Sequence, residues 1–502
     1  MSQLKKGAFL NYATIILTNV VGLLLTPFIL KSLGDAEYGV YTVIGALVGT
    51  ISLLDLGLNN TIVRFVAKYR AEKDRKGEET FLATTMLIYV MISIAIIVIG
   101  IIFYRYIESF FTKMDAHEIK TAKTIFILLI FNLSIGIPGG SFQAICYGYE
   151  QFVFPKSLNI IRYIIRSLVV VIVLLAGGKA IALVLIDSIF NLIIIIIFFY
   201  YIHYRLKVKI KLHSFSKTFL KHIFSYSIWI FVYGIVAQFQ WKVGHIILGK
   251  ICTPEILAIY AIGIMLGGYY GAFSSAITSV FLPRATQMTV NNSSHEELTD
   301  MMIKIGRVSF ISLLFILGAF MLYGKQFVFL WVGNSYFDSW LIALVIMLAY
   351  TIPLVQGFTG ALIEAQNKVA FKSITYLIFM IVGTVIGYFL ALNYKSIGMI
   401  SGTIIGWFFA QNVMNYFYYK ILKLNMLRFF RELFQRTLVA FIIILIFGYL
   451  FKLIPGAGWL NFTLKCNLYA VIFALVIYKI GMNEYEKNLF LKTFVKIFNR
   501  KS

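Results

Sequence analysis

Apolar runs of eighteen or more residues recur from one end of this chain to the other, parted by short polar segments. Each run can cross a hydrocarbon core about 30 Å thick at about 1.5 Å per residue. The pattern predicts fourteen spans, at about 7–30, 38–60, 80–104, 121–147, 155–177, 180–202, 223–249, 258–282, 303–324, 338–363, 371–392, 397–419, 436–453 and 462–480. The first follows Lys5 and Lys6 but is too long for a signal-peptide core and lacks a small-x-small cleavage site, so it reads as a span. Segment 61–75 sets Ile62, Phe65, Val66 and Tyr69 at helical spacing with Arg64, Lys68 and Lys73 mostly off that stripe. It is expected to lie on the inner leaflet surface or to serve as a solvated linker. Helix breakers fall inside several spans: Pro27, Gly136-Ile137-Pro138-Gly139-Gly140, and Ile352-Pro353 followed by Gly357 and Gly360. They mark either ordinary kinks or moving, site-lining elements.

The pattern repeats at about 216 residues. Ile137-Pro138 returns as Ile352-Pro353, Phe154-Pro155-Lys156-Ser157 as Ala370-Phe371-Lys372-Ser373, and Lys179-Ala180-Ile181 as Lys395-Ser396-Ile397. A period of that length has the size of the halves from which transporters are built. The expected fold is therefore all-α: a six-helix lobe over 1–215, a second over 216–425, and an accessory helix pair over 426–502 that ends in a basic cytoplasmic tail.

Composition agrees with the pattern. The 502 residues are 60% hydrophobic and 13% charged, more apolar than a soluble globule can bury. A net charge of +24 could point to nucleic acid, but the basic residues gather in the loops on the side of the two termini. That is the positive-inside signature of a multi-pass protein with both termini in the cytoplasm, and it excludes a nucleic-acid partner. Cys146, Cys252 and Cys466 form no spaced framework, and whether Cys252 and Cys466 pair is not readable from their positions.

Polar residues at membrane depth are the candidate chemistry. Arg162 and Arg166 lie one turn apart on span 5 with Asn159 beside them, and Arg166 falls about 16 Å along the helix. Asp187 on span 6 is the evident acidic partner, so the arginines either face a cavity as cations or form a buried structural pair. Gln238, Lys242 and His245 share a face of span 7 near Trp241, Trp229 and Tyr233. Amide, point charge and flat ring suit a sugar phosphate or glycan; the alternative is an aromatic and basic belt at the outer interface. Asp55 could snorkel, cap the next helix or, like Asp187, couple transport to a proton. Glu364 reads as an inner-face loop residue. Walker A, metal-ligand and nucleophile-base signatures are lacking, so neither cofactor, metal nor catalytic residue is expected.

Leu54-Asp55-Leu56-Gly57-Leu58 running into Arg64 and a basic loop, the 143–154 segment between spans 4 and 5, and Phe281-Leu282-Pro283-Arg284 closing span 8 give the chain its resemblance. With the span layout and repeat, it resembles the Wzx-type oligosaccharide (O-antigen) flippases of the MATE-like MOP exporter superfamily. The resemblance implies export of undecaprenyl-diphosphate-linked oligosaccharide from the inner to the outer leaflet of the bacterial cytoplasmic membrane. It implies alternating access without ATP, in surface polysaccharide biosynthesis. Membrane lipids, a polysaccharide polymerase and a chain-length regulator are the partners it implies, for a chain acting as a monomer. The extra spans 13 and 14 look like those of the lipid II flippase branch. Two rivals stand beside it. A cation-coupled multidrug exporter of the same superfamily would be expected to carry paired intramembrane carboxylates, whereas the charges here are mainly positive. A membrane glycosyltransferase or polymerase would need catalytic groups on a large outer loop, and the longest one expected, 105–120, is about 16 residues.

Overall fold

The computed structural model describes residues 3–213, 217–278, 285, 287–289, 291, 293–366 and 368–488; Phe281-Leu282-Pro283-Arg284 and the basic tail beyond 488 lie outside them. Among the described residues the chain is helical throughout, without strands, and twelve helical segments are long and apolar enough to cross a membrane. Two of the expected spans, 371–392 and 397–419, run on as a single 52-residue segment bent at Lys395 (φ 48°), and expected span 7 is divided between two helices. The chain forms two compact units: one of 1–261 with 380–403, the other of 262–379 with 404–502. This division falls elsewhere than the 215/216 boundary of the sequence repeat, which groups residues by echo rather than by contact.

In the first unit, α1 (Gln3–Leu33) contains Pro27 and ends at Gly34, whose φ of 83° only glycine adopts readily. α2 (Asp35–Ile51) runs into a 3₁₀ turn (Ser52–Asp55), and Leu56 and Gly57, with φ of 55° and 71°, interrupt the helix before α3 (Leu58–Ala71). The continuous helix expected over 38–60 is thus broken at Asp55-Leu56-Gly57. The stripe on α3 does not lie on lipid either. Ile62 and Val66 are fully buried, and Phe65 stacks on Phe81 of α4 (Arg75–Phe110) at 5.2 Å. Asp74 starts α4 by accepting from the Gly77 amide at 2.9 Å, and an Asp115–Glu118 capping box starts α5 (Ala116–Gly148).

Hydrophobic exclusion from water cannot hold helices together inside lipid, so close packing and polar contacts must. Gly100 lets Ile130 in, Gly139 admits Ile195 and Gly148 admits Val66, since an added methyl at each would meet those side chains at under 3 Å. α6 (Val153–Leu175) is tied to α1 by Lys156 Nζ donating to Asn11 Oδ1 at 2.7 Å and Tyr163 OH donating to the Thr18 carbonyl at 3.1 Å. α7 (Ala180–Tyr200) begins with its Ala180 amide donating to Glu37 Oε1 at 2.7 Å, ends in a π turn (Tyr201–Arg205), and leads through segment 206–213 toward α8 (Lys217–Trp241). α9 (Val243–Ile251) and the start of α10 (Pro254–Thr278) follow, Gly39 abuts the Pro254 backbone, and residues 380–403 belong to this unit as well. Large apolar side chains such as Ile97, Ile172 and Ile196 stay exposed, as lipid-facing residues should.

The second unit is arranged on the 38-residue α11 (His295–Val332), capped by a Ser294–Glu297 box. It packs with α12 (Phe337–Val355), α13 (Gly357–Ala365), α15 (Met426–Phe434), α16 (Thr437–Lys452) and α17 (Trp459–Val476). Between α13 and α15 runs α14 (Val369–Lys420). Arg307 on α11 donates through Nε and Nη2 to Glu486 at 2.5 and 3.1 Å, and also to the Gly481, Glu432 and Gln435 carbonyls. With side chains only 6% and 3% exposed, this is a buried, fully hydrogen-bonded ion pair joining α11 to the C-terminal helices. Below Pro353, Gln356, Gln411, Asn415 and Tyr376 form a closed amide and hydroxyl network.

Candidate functional site

The expected arginine cluster is assembled where α6 meets α7. Arg166 and Asp187 pair in bidentate fashion, Nε to Oδ1 at 2.6 Å and Nη2 to Oδ2 at 3.0 Å, with side chains 20% and 29% exposed. Arg162, one turn earlier, is half-buried and makes neither hydrogen bond nor ion pair among the described residues. The two arginines therefore differ: Arg166 is bonded to Asp187, whereas Arg162 is only within electrostatic reach of that carboxylate. Tyr41 on α2 lies within electrostatic reach of both Asp187 and Arg166.

The second cluster sits at the junction of α8 and α9. Lys242 leaves helical geometry (φ −121°, ψ −42°), so the single face expected of an unbroken span 7 is interrupted there. The Lys242 side chain passes Gly49 of α2, and His245 is buried edge-on against the Tyr260 ring at 4.8 Å. Gln238 Oε1 and His245 Nδ1 are both buried without a hydrogen-bond partner. A buried polar atom left unmet costs about 1–3 kcal/mol. Trp241 is half-buried beside them, whereas Trp229 and Tyr233 are exposed.

Both clusters border one face of α2. Tyr41, Gly45 and Gly49 share a sector of that helix; Tyr41 faces the arginine cluster, and Gly49 receives Lys242. A methyl group added at Gly45 would meet nothing within 4 Å, so the stretch between is open. Eight residues separate Tyr41 from Gly49, about 12 Å of helix. Gly45-x-x-x-Gly49 was the one sequence sign of this face, and it is a common packing pattern. Tyr41 and Tyr260 carried no sign at all, since what they touch is distant in the chain.

Asp55 stands apart in the break between α2 and α3. Its Oδ1 accepts from Asn59 Nδ2 at 3.1 Å and from Tyr89 OH at 3.3 Å, and it makes no ion pair among the described residues. Asn59 lies beside Gly140 of α5, so the Asp55–Gly57 break faces the proline-glycine segment. Glu364 is exposed near the end of α13, the three cysteines are free, and no cluster of metal-ligating side chains occurs among the described residues.

An all-helical, polytopic membrane fold with unpaired cationic and polar groups on an open helix face defines a membrane transporter. Residues 4–289, more than half of the chain, match the model of the polysaccharide biosynthesis protein family, and the chain belongs to that family. It is 23% identical over 381 residues to a Shigella flexneri protein described as "Putative O-antigen transporter", a match spanning 74% of this chain and 87% of that one. Its fold is similar to that of the lipid II flippase MurJ in an inward closed conformation (TM-score 0.66, 15% identity, 94% of this chain and 99% of the other). It is also similar to a multidrug resistance MATE family transporter of the MOP superfamily in an inward-facing conformation (TM-score 0.56, 15% identity, 79% and 96%).

Proposed function

We propose that this chain is a flippase carrying undecaprenyl-diphosphate-linked oligosaccharide from the inner to the outer leaflet of the bacterial cytoplasmic membrane. It works by alternating access across fourteen spans, with six-helix lobes over 1–215 and 216–425 and an accessory pair over 426–502. Both termini lie in the cytoplasm, the chain acts as a monomer, and a polysaccharide polymerase and chain-length regulator receive its product. Family membership supports the reading, and the observation that carries the site is Arg162, a guanidinium held at membrane depth without a bonded counter-ion beside a paired Arg166. A cation there with no bonded partner is costly, and a diphosphate supplies both negative charge and oxygens that a guanidinium binds through two N–H groups. Lys242, Gln238, His245 and Trp241 would take the sugar: the lysine its charged or hydroxyl oxygens, the amide and imidazole its hydroxyls, the indole a pyranose face. Asp55 and Asp187 are the carboxylates through which an ion gradient could drive the cycle. A drug exporter for organic cations fits less well, because the open groups on this face are cationic or neutral.

The test is deletion of the gene followed by extraction of lipid-linked sugars from sealed vesicles. Undecaprenyl-diphosphate-linked oligosaccharide should accumulate on the inner side and be cleared by the wild-type chain. Accumulation of no lipid-linked sugar would end the proposal.

A further inference from the structure

A second cationic place lies well away from the arginine and lysine clusters. The turn between α3 and α4, the C-terminal end of α5 and segment 206–213 enclose a cavity of about 650 Å³. That volume lies inside the range of small-molecule sites. Five of its lining side chains are basic: Arg70, Lys73, Arg75, Lys207 and Lys209. Among the described residues none of the five makes an ion pair. The two acids on the wall, Glu78 and Glu79, offset two of the five positive charges, and their oxygens are also hydrogen-bonded. Tyr149 OH donates to Glu78 Oε1 at 2.6 Å, and Glu79 Oε2 meets His213 Nε2 at 2.6 Å. Arg70 is held in place, its guanidinium 4.0 Å from the centre of the Tyr149 ring and its Nη1 donating to the Gly148 carbonyl at 3.4 Å. Like charges converging on one cavity repel, and an anion carrying two or more charges removes that repulsion while filling the donors.

We propose that this cavity binds a phosphate-bearing anion, at a site separate from the membrane-depth arginines, and that the anion clamps segment 206–213 to the α3–α4 turn. The two sides supply complementary groups, Lys73 and Arg75 from the turn and Lys207 and Lys209 from the segment. The segment is the stretch through which the first six expected spans pass to α8, and among the described residues it is otherwise anchored by the Leu206 amide on the Tyr201 carbonyl at 3.1 Å, by buried Val208 on the Ile202 carbonyl at 3.0 Å, and by His213. Occupancy of the cavity would therefore set how tightly that connection is held.

Trypsin reads this directly, because Lys207, Lys209 and Lys211 are its cleavage sites. Full-length protein in nanodiscs of zwitterionic lipid is digested with pyrophosphate, or with potassium chloride at equal ionic strength; a third sample uses nanodiscs containing phosphatidic acid. Cleavage at 207–211, followed by mass spectrometry, should slow about tenfold when the anion is at ten times its dissociation constant. Protection by pyrophosphate identifies a soluble phosphate ligand, and protection only by phosphatidic acid identifies a lipid headgroup. The K73Q/R75Q variant keeps every cleavage site in the segment and should lose the protection while its melting temperature without anion stays unchanged. Equal cleavage in all three wild-type samples overturns the proposal, as does protection that survives intact in K73Q/R75Q.

Discussion

Arg162 and Arg166 differ by one helical turn and by one bonded partner, and the proposal that Arg162 meets the substrate rests on that difference. Removing Asp187 leaves the Arg166 charge stranded at membrane depth. Breaking a buried pair costs about 3–5 kcal/mol, and the partial exposure of this one places it at the lower end. D187A should therefore reduce the amount of protein in the membrane, and R166A/D187A should restore it by removing both charges. R162A leaves no orphan behind, so its abundance should stay normal while export falls at least tenfold. R162K, which keeps the charge but loses the planar fork, should retain part of the export. Immunoblots of membranes and assays of surface polysaccharide give the two readouts. Normal export by R162A would remove Arg162 from the substrate path. The composition of this cluster was legible because charged residues in apolar runs stand out, and helical spacing put the arginines on one face. Which arginine was paired was not legible, since two guanidiniums one turn apart are equivalent until Asp187 is placed nearer one of them.

Breaks decide how the helices fit together. The bend at Lys395 was foreshadowed by its echo at Lys179, and both residues stand where one apolar run turns into the next. The break at Asp55-Leu56-Gly57 was not, because a lone glycine among leucines is a weak signal and apolar periodicity continues straight through it. The stripe on α3 was read correctly as apolar, yet periodicity says only that a face is covered, and here helices α4 and α5 cover it. Within the α14 bend, the two arms meet backbone to backbone: a methyl on Gly402 would lie 2.1 Å from the Gly387 nitrogen. Only glycine allows that approach, and a backbone neighbour cannot rotate away as a side chain can. G402V should cost at least about 3 kcal/mol, the upper end of ordinary overpacking. G45A, on the open face of α2, should cost almost nothing. Thermal unfolding in detergent checks both, and equal melting temperatures for the two variants would show that the arms are not in contact. Arg307 makes the same kind of tie with charge instead of contact. R307A should lower the melting temperature sharply by orphaning Glu486, and R307M/E486L, similar in volume and uncharged, should recover most of it. No sequence pattern could have joined these two residues, which lie 179 positions apart.

For the whole molecule, class and family were legible, and the contact grouping is a different division from the one the repeat gives. Composition and run length alone put the chain in a membrane, because 60% hydrophobic residues cannot be hidden in water. Contact grouping depends on which helices touch, and the chain changes unit within α10 and twice within α14, where hydropathy shows no seam. Orientation rests on charge. Lys and Arg gather in the loops expected inside, including 64–76, 205–221 and 420–435, while expected outer loops such as 178–179 and 393–396 carry one lysine each. Translocating a short basic loop against the positive-inside bias is unfavourable, so those loops should stay in the cytoplasm. From Lys217, where α8 begins, to Ser335, in the turn between α11 and α12, the fourteen-span reading places three crossings, at 223–249, 258–282 and 303–324. An odd number of crossings puts the two positions on opposite sides. A reporter active only in the cytoplasm should work when fused at Lys217 and fail at Ser335, and one active only outside should do the reverse. The same side for both would mean an even number of crossings. In that case the interrupted α8–α9 pair, which has its break at Lys242, would enter and leave the membrane on one face, and the cytoplasmic placement of every loop beyond it would have to be reversed.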